Sequence, residues 1–256
     1  MELADMKAVV TGGASGLGEA TVRRIVEKGG QAAIFDLNSE RSKKLIEELG
    51  RESVFYLQTD VTDAKQVEQN IAQVVERFGH INAVVNCAGI GTPGKVVAKN
   101  GPMPLEQFEK IIQINLIGSF NVIRVAAAAM RKNESNGNGE RGVIISTASV
   151  AAFEGQIGQA AYSASKGGIV SMTLPIAREF AQYGIRVMAI APGLMKTPMF
   201  DGLPEAAVES LSASVPFPAR LGQPSEYAQL VESVAENVML NGEVIRLDGA
   251  IRMQPK

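Results

Sequence analysis

Along the chain, short unbroken apolar runs alternate with longer stretches whose apolar residues recur at helical spacing. Runs of the first kind are Lys7-Ala8-Val9-Val10-Thr11, Gln31 to Phe35, Val54-Phe55-Tyr56-Leu57, Ile81 to Val85, Val143-Ile144-Ile145-Ser146, Arg186 to Ile190 and Glu243 to Gly249. With no polar alternation, such runs suit strands buried on both faces, as in a parallel sheet. Between them lie amphipathic segments that predict helices. Glu19 to Lys28 carries Ala20, Val22, Ile25 and Val26 on or near one face, and Ala64 to Phe78 carries Val67, Ile71, Val74 and Val75. Further helices are expected over Ser39 to Leu49, from Pro104 toward Lys132, from about Tyr162 to Tyr183, over Glu205 to Ala213 and over Tyr227 to Ala235. Pro175 should kink the helix from Tyr162 to Tyr183 near Ser171. Gly91 to Pro104 and Asn133 to Gly142 are expected to be loops. Alternating strands and helices predict an α/β fold, one domain over residues 1–256 with a doubly wound parallel sheet of about seven strands. Phe200 to Gly222 is expected to form a mobile substrate lid, with Leu194, Met195, Met199, Phe200 and Leu203 as its apolar lining.

The first strand runs into Gly12-Gly13-Ala14-Ser15-Gly16-Leu17-Gly18 and then a helix. Strand, glycine-rich turn and helix in that order make the entry of a Rossmann dinucleotide site. Glycines let the backbone approach the pyrophosphate, whose charge sits at the helix N-terminus. The second strand ends in Asp36, roughly 20 residues beyond the glycines, where a carboxylate suits a ribose 2′-hydroxyl and repels a 2′-phosphate. Leu37 follows with no adjacent Arg or Lys, and Ser15 supplies no cation in the loop. Both absences point to NAD rather than NADP. Asp60 and Val61, at the end of the third strand, are placed for the adenine. The small residues Asn86-Cys87-Ala88-Gly89, after the fourth, allow close approach to a flat cofactor.

Ala161-Tyr162-Ser163-Ala164-Ser165-Lys166 sets a phenol and an ammonium four residues apart, on one face of a helix. A free tyrosine has a pKa of about 10. A cation at roughly 4 Å, at an effective dielectric near 20, attracts the phenolate by ~4 kcal/mol before solvent discounting, against ~1.4 kcal/mol per pKa unit. Such a pair can poise Tyr162 as a general acid–base. Ser149, at the end of the fifth strand, is placed to meet an oxygen held by Tyr162. Asn115, in an otherwise apolar helix, either holds structure together or anchors a water.

Composition prunes the chemistry. The single histidine, His80, and single cysteine, Cys87, exclude an intrachain disulfide, argue against a zinc site built on Cys and His, and leave little room for a Ser-His-acid triad. His80 reads as a surface or loop residue and Cys87 as a packed, inert thiol. A net charge of −2 makes no case for nucleic acid or an anionic membrane. The apolar runs are broken short of a membrane span. The N-terminus shows no signal-peptide pattern, so a cytoplasmic location is expected.

Thr11-Gly12-x-x-x-Gly16-x-Gly18, Asn86-Cys87-Ala88-Gly89, Asn115, Ser149, Tyr162-x-x-x-Lys166 and Pro192-Gly193, in this order, closely resemble the short-chain dehydrogenase/reductase superfamily along nearly the whole chain. The resemblance implies a catalytic set of Asn115, Ser149, Tyr162 and Lys166. It implies a cofactor site of Gly12, Ser15, Gly16, Leu17, Gly18, Asp36, Asp60, Val61, Cys87, Ala88, Gly89, Pro192 and Thr197 with Tyr162 and Lys166. Substrate contacts are expected from Ser149, Gln156, Tyr162, Leu194 and Leu203. Ala148 to Gln156, Pro175-Ile176-Ala177-Arg178 and Ile245 to Met253 look more narrowly like the type II short-chain 3-hydroxyacyl-CoA dehydrogenases. That group is NAD-dependent and homotetrameric, and oxidises short 3-hydroxyacyl-CoA and 2-methyl-3-hydroxybutyryl-CoA with side activity on steroids and alcohols; its animal members are mitochondrial. The competing readings are an NADPH-dependent 3-ketoacyl carrier-protein reductase and a cofactor sensor without chemistry.

Overall fold

Seven apolar runs form one parallel sheet: β1 (Lys7–Thr11), β2 (Gln31–Asp36), β3 (Val54–Gln58), β4 (Ala83–Asn86), β5 (Gly142–Thr147), β6 (Ile185–Pro192) and β7 (Val244–Leu247). Their spatial order is 3-2-1-4-5-6-7, every pairing parallel. This computed structural model describes residues 1–198 and 204–255. The helices are α1 (Gly16–Glu27), α2 (Ser39–Leu49), α3 (Ala64–Phe78), α4 (Leu105–Ile112), α5 (Ser119–Met130), α6 (Ala160–Phe180), α7 (Glu205–Ala213) and α8 (Pro224–Glu236).

The unbroken apolar runs are explained by burial on both sides. Ala8, Val10, Ile34, Val85, Ile145 and Ile190 face a core shared with Val22, Ile25, Leu45 and Tyr227. Their neighbours Val9, Phe35, Val84, Ile144 and Val187 face the opposite core, with Ile71, Val74, Val122, Ile123 and Ile176. Side chains alternate across a strand, so one run feeds both layers, and each fully buried Val or Ile is worth about 1.5–3 kcal/mol. Strand order reverses between β1 and β4. Their paired ends, Thr11 opposite Asn86, open the crevice where such sheets bind ligands.

Several details depart from expectation. α1 begins at Gly16, so the last glycines are already helical. The connection over 91–104 carries a two-stranded hairpin, Val97–Ala98 with Gly101–Pro102. α6 ends at Phe180, short of the expected Tyr183, and holds Pro175 within its 21 residues. The helix after Pro104 is interrupted by a π-helical stretch, Gln113–Gly118, between α4 and α5. By length and hydropathy (26 residues, 1.5) Leu105–Met130 is apolar enough to cross a bilayer, contrary to the sequence reading, but half of its apolar window is buried, as in a core helix. The charged residues Lys110 and Arg124 are exposed, whereas Ile111, Val122, Ile123, Ala126 and Met130 are buried.

Candidate active site

One groove, of about 560 Å³, runs along the carboxyl ends of β1 to β4. Gly12, Ser15, Gly16, Leu17, Gly18, Asp36, Asp60, Val61, Cys87, Ala88, Gly89 and Thr197 all line it, as the motifs imply. Its shape depends on missing side chains. Gly12 has φ +62, and a Cβ there would lie 2.8 Å from the Ala88 nitrogen. A Cβ on Gly18 would lie 2.2 Å from the Gly12 carbonyl oxygen, so only glycine lets α1 start against the loop. Thr11 closes the turn from below, its hydroxyl accepting from the amides of Cys87 (3.2 Å) and Ala88 (3.1 Å).

Asp36 stands at the end of β2 with one carboxylate oxygen accepting from the Ala14 amide (3.0 Å) and the other from the Asn38 amide (2.9 Å). Those bonds aim it at the loop. A backbone cradle at a helix N-terminus beside a carboxylate fits a dinucleotide: Gly12 to Gly18 for the pyrophosphate, Asp36 for the adenosine ribose, Asp60 and Val61 for the base. Asp60 itself accepts from Thr62, through its amide (2.9 Å) and its hydroxyl (2.7 Å). The expectation of no nearby cation needs correcting. Arg41 and Lys44, in the first two turns of α2, line a smaller hollow together with Ala14 and Ser15 and with the charged side chains of Glu19, Arg23 and Glu48. Neither is adjacent to Asp36 in sequence, so reading along the chain could not find them.

Beyond Gly89 lie the reactive side chains. A Cβ on Gly89 would come within 3.1 Å of Asn115 Oδ1 and 3.7 Å of Lys166 Nζ, which places both beside the groove's end. Tyr162 and Lys166 sit one turn apart at the start of α6, as the spacing requires. Lys166 is 6% exposed; its ammonium donates to the Thr147 carbonyl (2.7 Å) and stands 5.8 Å from the centre of the Tyr162 ring. Ser149 caps a short turn, Val150–Ala152, its hydroxyl accepting from the Ala151 amide (3.1 Å).

The expected lowering of the tyrosine pKa is not what the fold produces. Burial pushes the Tyr162 phenol above its ordinary value, while the Ser149 hydroxyl pulls it back. Burial also lowers Lys166 to about 8. The simple Coulomb reading left both groups in a medium of intermediate dielectric. In the structure Lys166 is buried and Tyr162 half-buried, and the cost of taking each charged form out of water sets the direction of both shifts.

Asn115 is fully buried within the π-helical stretch. Its Oδ1 accepts from the Ile90 amide (2.8 Å), and its Nδ2 donates to the Ile90 carbonyl (2.9 Å) and to Ser165 Oγ (3.0 Å). Of the two roles open at the sequence level, holding structure is the one its amide serves: it pins the chain leaving β4. The π turn brings it there, a distortion common at functional sites.

Other expected contacts fall elsewhere. Gln156 is half-buried, but its Nε2 donates to the Gln254 carbonyl (3.0 Å), so the C-terminal segment holds its side chain. Leu194 lines a small separate cavity with Met195, Val215 and Leu247. Pro192 is buried at the end of β6 and is not among the groove residues. Leu203, Met199 and Phe200 lie outside the described residues. His80 is a half-buried loop residue, as expected. Cys87 meets the groove, yet burial raises its thiol pKa; its sulfur lies near Thr147 Oγ1 (3.5 Å) and the Tyr227 hydroxyl (3.8 Å). Sequence reasoning gave no role to Thr147, Ser165 and Ile90, and placed Thr11 in the glycine motif without its bonds. Each acts through backbone groups or partners distant in sequence.

A family model of short chain dehydrogenases matches residues 6–207. The chain belongs to the short chain dehydrogenase family. It is therefore an oxidoreductase that uses a nicotinamide cofactor on a small-molecule substrate. It is 55% identical to the 3-hydroxyacyl-CoA dehydrogenase type-2 of Homo sapiens over 97% of this chain and 95% of that one. Its identity to the Drosophila melanogaster protein of the same name is 52%, over 97% and 98%. The crystal structure of 3-hydroxyacyl-CoA dehydrogenase type-2 from Mycobacterium avium superposes with a TM-score of 0.93 at 43% identity, covering 97% of this chain and 96% of that one.

Proposed function

We propose that this protein is an NAD-dependent dehydrogenase interconverting short 3-hydroxyacyl-CoA, including 2-methyl-3-hydroxybutyryl-CoA, and the corresponding 3-ketoacyl-CoA. The observation that carries the reading is the meeting of Tyr162, Lys166 and the Ser149 turn at the end of a glycine-cradled groove that carries Asp36. The names of the relatives support the acyl-CoA substrate.

When bound, the nicotinamide supplies the hydride acceptor or donor. Ser149 and Tyr162 hold the substrate oxygen. Tyr162 takes the hydroxyl proton during oxidation and returns it during reduction. Lys166, tethered to Thr147, would hold the nicotinamide ribose and keeps a cation beside the Tyr162 ring. Asn115 holds the chain at Ile90 in place through its side-chain amide. Because burial raises the phenol pKa, alcohol oxidation increases with pH into the alkaline range, whereas reduction uses the neutral phenol that prevails at pH 7.

Asp36 supports NAD, its charge opposing a 2′-phosphate. Arg41 and Lys44 are the observation that favours the second reading, an NADPH-dependent 3-ketoacyl reductase. A sensor without chemistry is disfavoured by the presence of both Tyr162 and Lys166. The described part of the segment expected as a lid, residues 204–222 with α7, is assigned to cover the acyl group. A homotetramer is supported by exposed apolar residues on the helices: Leu105, Ile117 and Phe120 near and along α4 and α5, and Leu174 on α6.

Purified protein mixed with acetoacetyl-CoA and NADH, followed at the nicotinamide absorbance, tests the reading. Turnover at least about tenfold faster with NADH than with NADPH is expected, from the charge repulsion at Asp36. Preference for NADPH would favour the reductase, and turnover with neither would refute the acyl-CoA assignment.

A further inference from the structure

The segments that look most specifically like one group of dehydrogenases, Ala148 to Gln156 and Ile245 to Met253, touch each other in the fold. Arg246, on the edge strand β7, grips Glu154 with a two-pronged ion pair: Nη1 to Oε1 at 2.7 Å and Nη2 to Oε2 at 2.9 Å. The remaining guanidinium nitrogen, Nε, donates to Asp248 Oδ2 (2.7 Å), and Nη2 also donates to the Ile251 carbonyl (3.1 Å). The guanidinium lies 5.2 Å from the centre of the Phe153 ring. Arg252 adds a second cation, 3.2 Å from Asp248 and 3.5 Å from Glu154.

Two further bonds tie the same segments, Gln156 Nε2 to the Gln254 carbonyl and the Ile157 amide to the Pro255 carbonyl, both 3.0 Å. The turn that presents this network is strained. Ala250 has φ +66, the sole non-glycine with positive φ among the described residues, and its amide is held by Asp248 Oδ1 (2.9 Å). Strain of this kind persists only where the surroundings over-determine it.

The gripped loop is short and has the reactive groups at both ends. Glu154 follows the turn capped by Ser149, and its amide donates to the Val150 carbonyl (3.0 Å). At the other end, the Ser163 amide donates to the Gln159 carbonyl (2.7 Å), one residue after Tyr162. Between them Gly155 packs so tightly on α6 that a Cβ would lie 2.2 Å from Ser163 Oγ. Glu154 is thereby joined to the Ser149 turn by a backbone bond and, through Gly155, to the first turn of α6.

We propose that Arg246 and Glu154 are positioning residues for the reaction, their forked ion pair setting the Ser149 turn in register with the first turn of α6. The inference rests on the reading of Ser149 and Tyr162 as the pair that holds the substrate oxygen. Arg246 needs its planar fork for this, which a lysine cannot supply. Misplacing reacting groups by about 1 Å can cost about 10²-fold in rate.

The test uses the full chain with acetoacetyl-CoA and NADH, comparing Glu154→Gln, Arg246→Lys and Tyr162→Phe, with NADH affinity measured by calorimetry. Both clamp variants should lose about tenfold to a hundredfold in kcat while NADH affinity stays within about twofold, because the clamp lies away from the glycine cradle. Should Glu154→Gln fail to fold, Arg246→Lys, which keeps the charge, carries the comparison alone. Parent-like kcat in the folded clamp variants, beside an inactive Tyr162→Phe, would overturn the proposal and leave the reactive pair standing. So would a fall in kcat matched by an equal loss of NADH affinity, which marks general disruption. An active Tyr162→Phe would instead remove the reading on which the clamp rests.

Discussion

At the nucleotide end of the groove the binding surface is made largely of backbone. Gly12 and Gly18 contribute by having no side chain, Ser15 and Gly16 open α1 toward the ligand, and Asp36 is aimed by two amides. At the tyrosine end the surface is made of buried polar side chains that hold one another: Asn115 on Ile90 and Ser165, Lys166 on Thr147, Ser149 on its own turn. The first end resists change because a Cβ has nowhere to go. The second is costly to bury, and its pKa values show it, with phenol raised and ammonium lowered. One end is therefore sensitive to volume and the other to charge.

The comparison is broken most severely at Lys166. Lys166→Met keeps bulk and removes the ammonium, and turnover should fall by about 10²-fold. Stability should respond in the opposite sense. The folded pKa of about 8 lies below the usual 10.5, so between those values the unfolded chain binds more protons, and the native state gains stability as pH rises through that window. The gain is on the order of 3 kcal/mol, and it should vanish in the variant. Urea unfolding at pH 7 and pH 10 measures it.

Gly18→Ala should act on volume. Its Cβ meets the Gly12 carbonyl at 2.2 Å, so the loop must shift; NADH affinity, read by calorimetry, should weaken at least about tenfold, as for a misplaced binding group. Asp36→Asn keeps an acceptor and removes the charge. The ratio of kcat/KM for NADPH over NADH should then rise about tenfold, since Arg41 and Lys44 stand nearby. Gly167→Ala is the smallest change. It follows Lys166 on α6, with nothing within 4 Å of a new Cβ. Replacing a helical glycine should stabilise by about 0.5–1 kcal/mol, seen as a higher melting temperature with turnover unchanged.

The two ends also differ in how far the sequence discloses them. Gly12, Gly16, Gly18 and Asp36 are legible because spacing along one strand–turn–helix unit is the geometry itself. The seven strands are legible for a similar reason, since burial on both faces leaves an unbroken apolar run. At the tyrosine end, residue types were legible and partners were not. Nothing local says that Lys166 reaches Thr147, that the Asn115 amide is consumed by Ile90, or that Gln156 turns toward Gln254. Those contacts join positions 19, 25 and 98 residues apart. The π-helical stretch over Gln113–Gly118 has no periodicity signal distinct from the helix around it. Pro175 removes one helical hydrogen bond, and α6 is continuous on both sides of it.

The central claim is that the Tyr162 hydroxyl carries the proton while the glycine groove, independently, holds the cofactor. Turnover and NADH affinity measured together on Tyr162→Phe test it most directly. The account predicts a fall in turnover of about 10²–10⁴-fold with NADH affinity unchanged. Turnover within tenfold of the parent would contradict it.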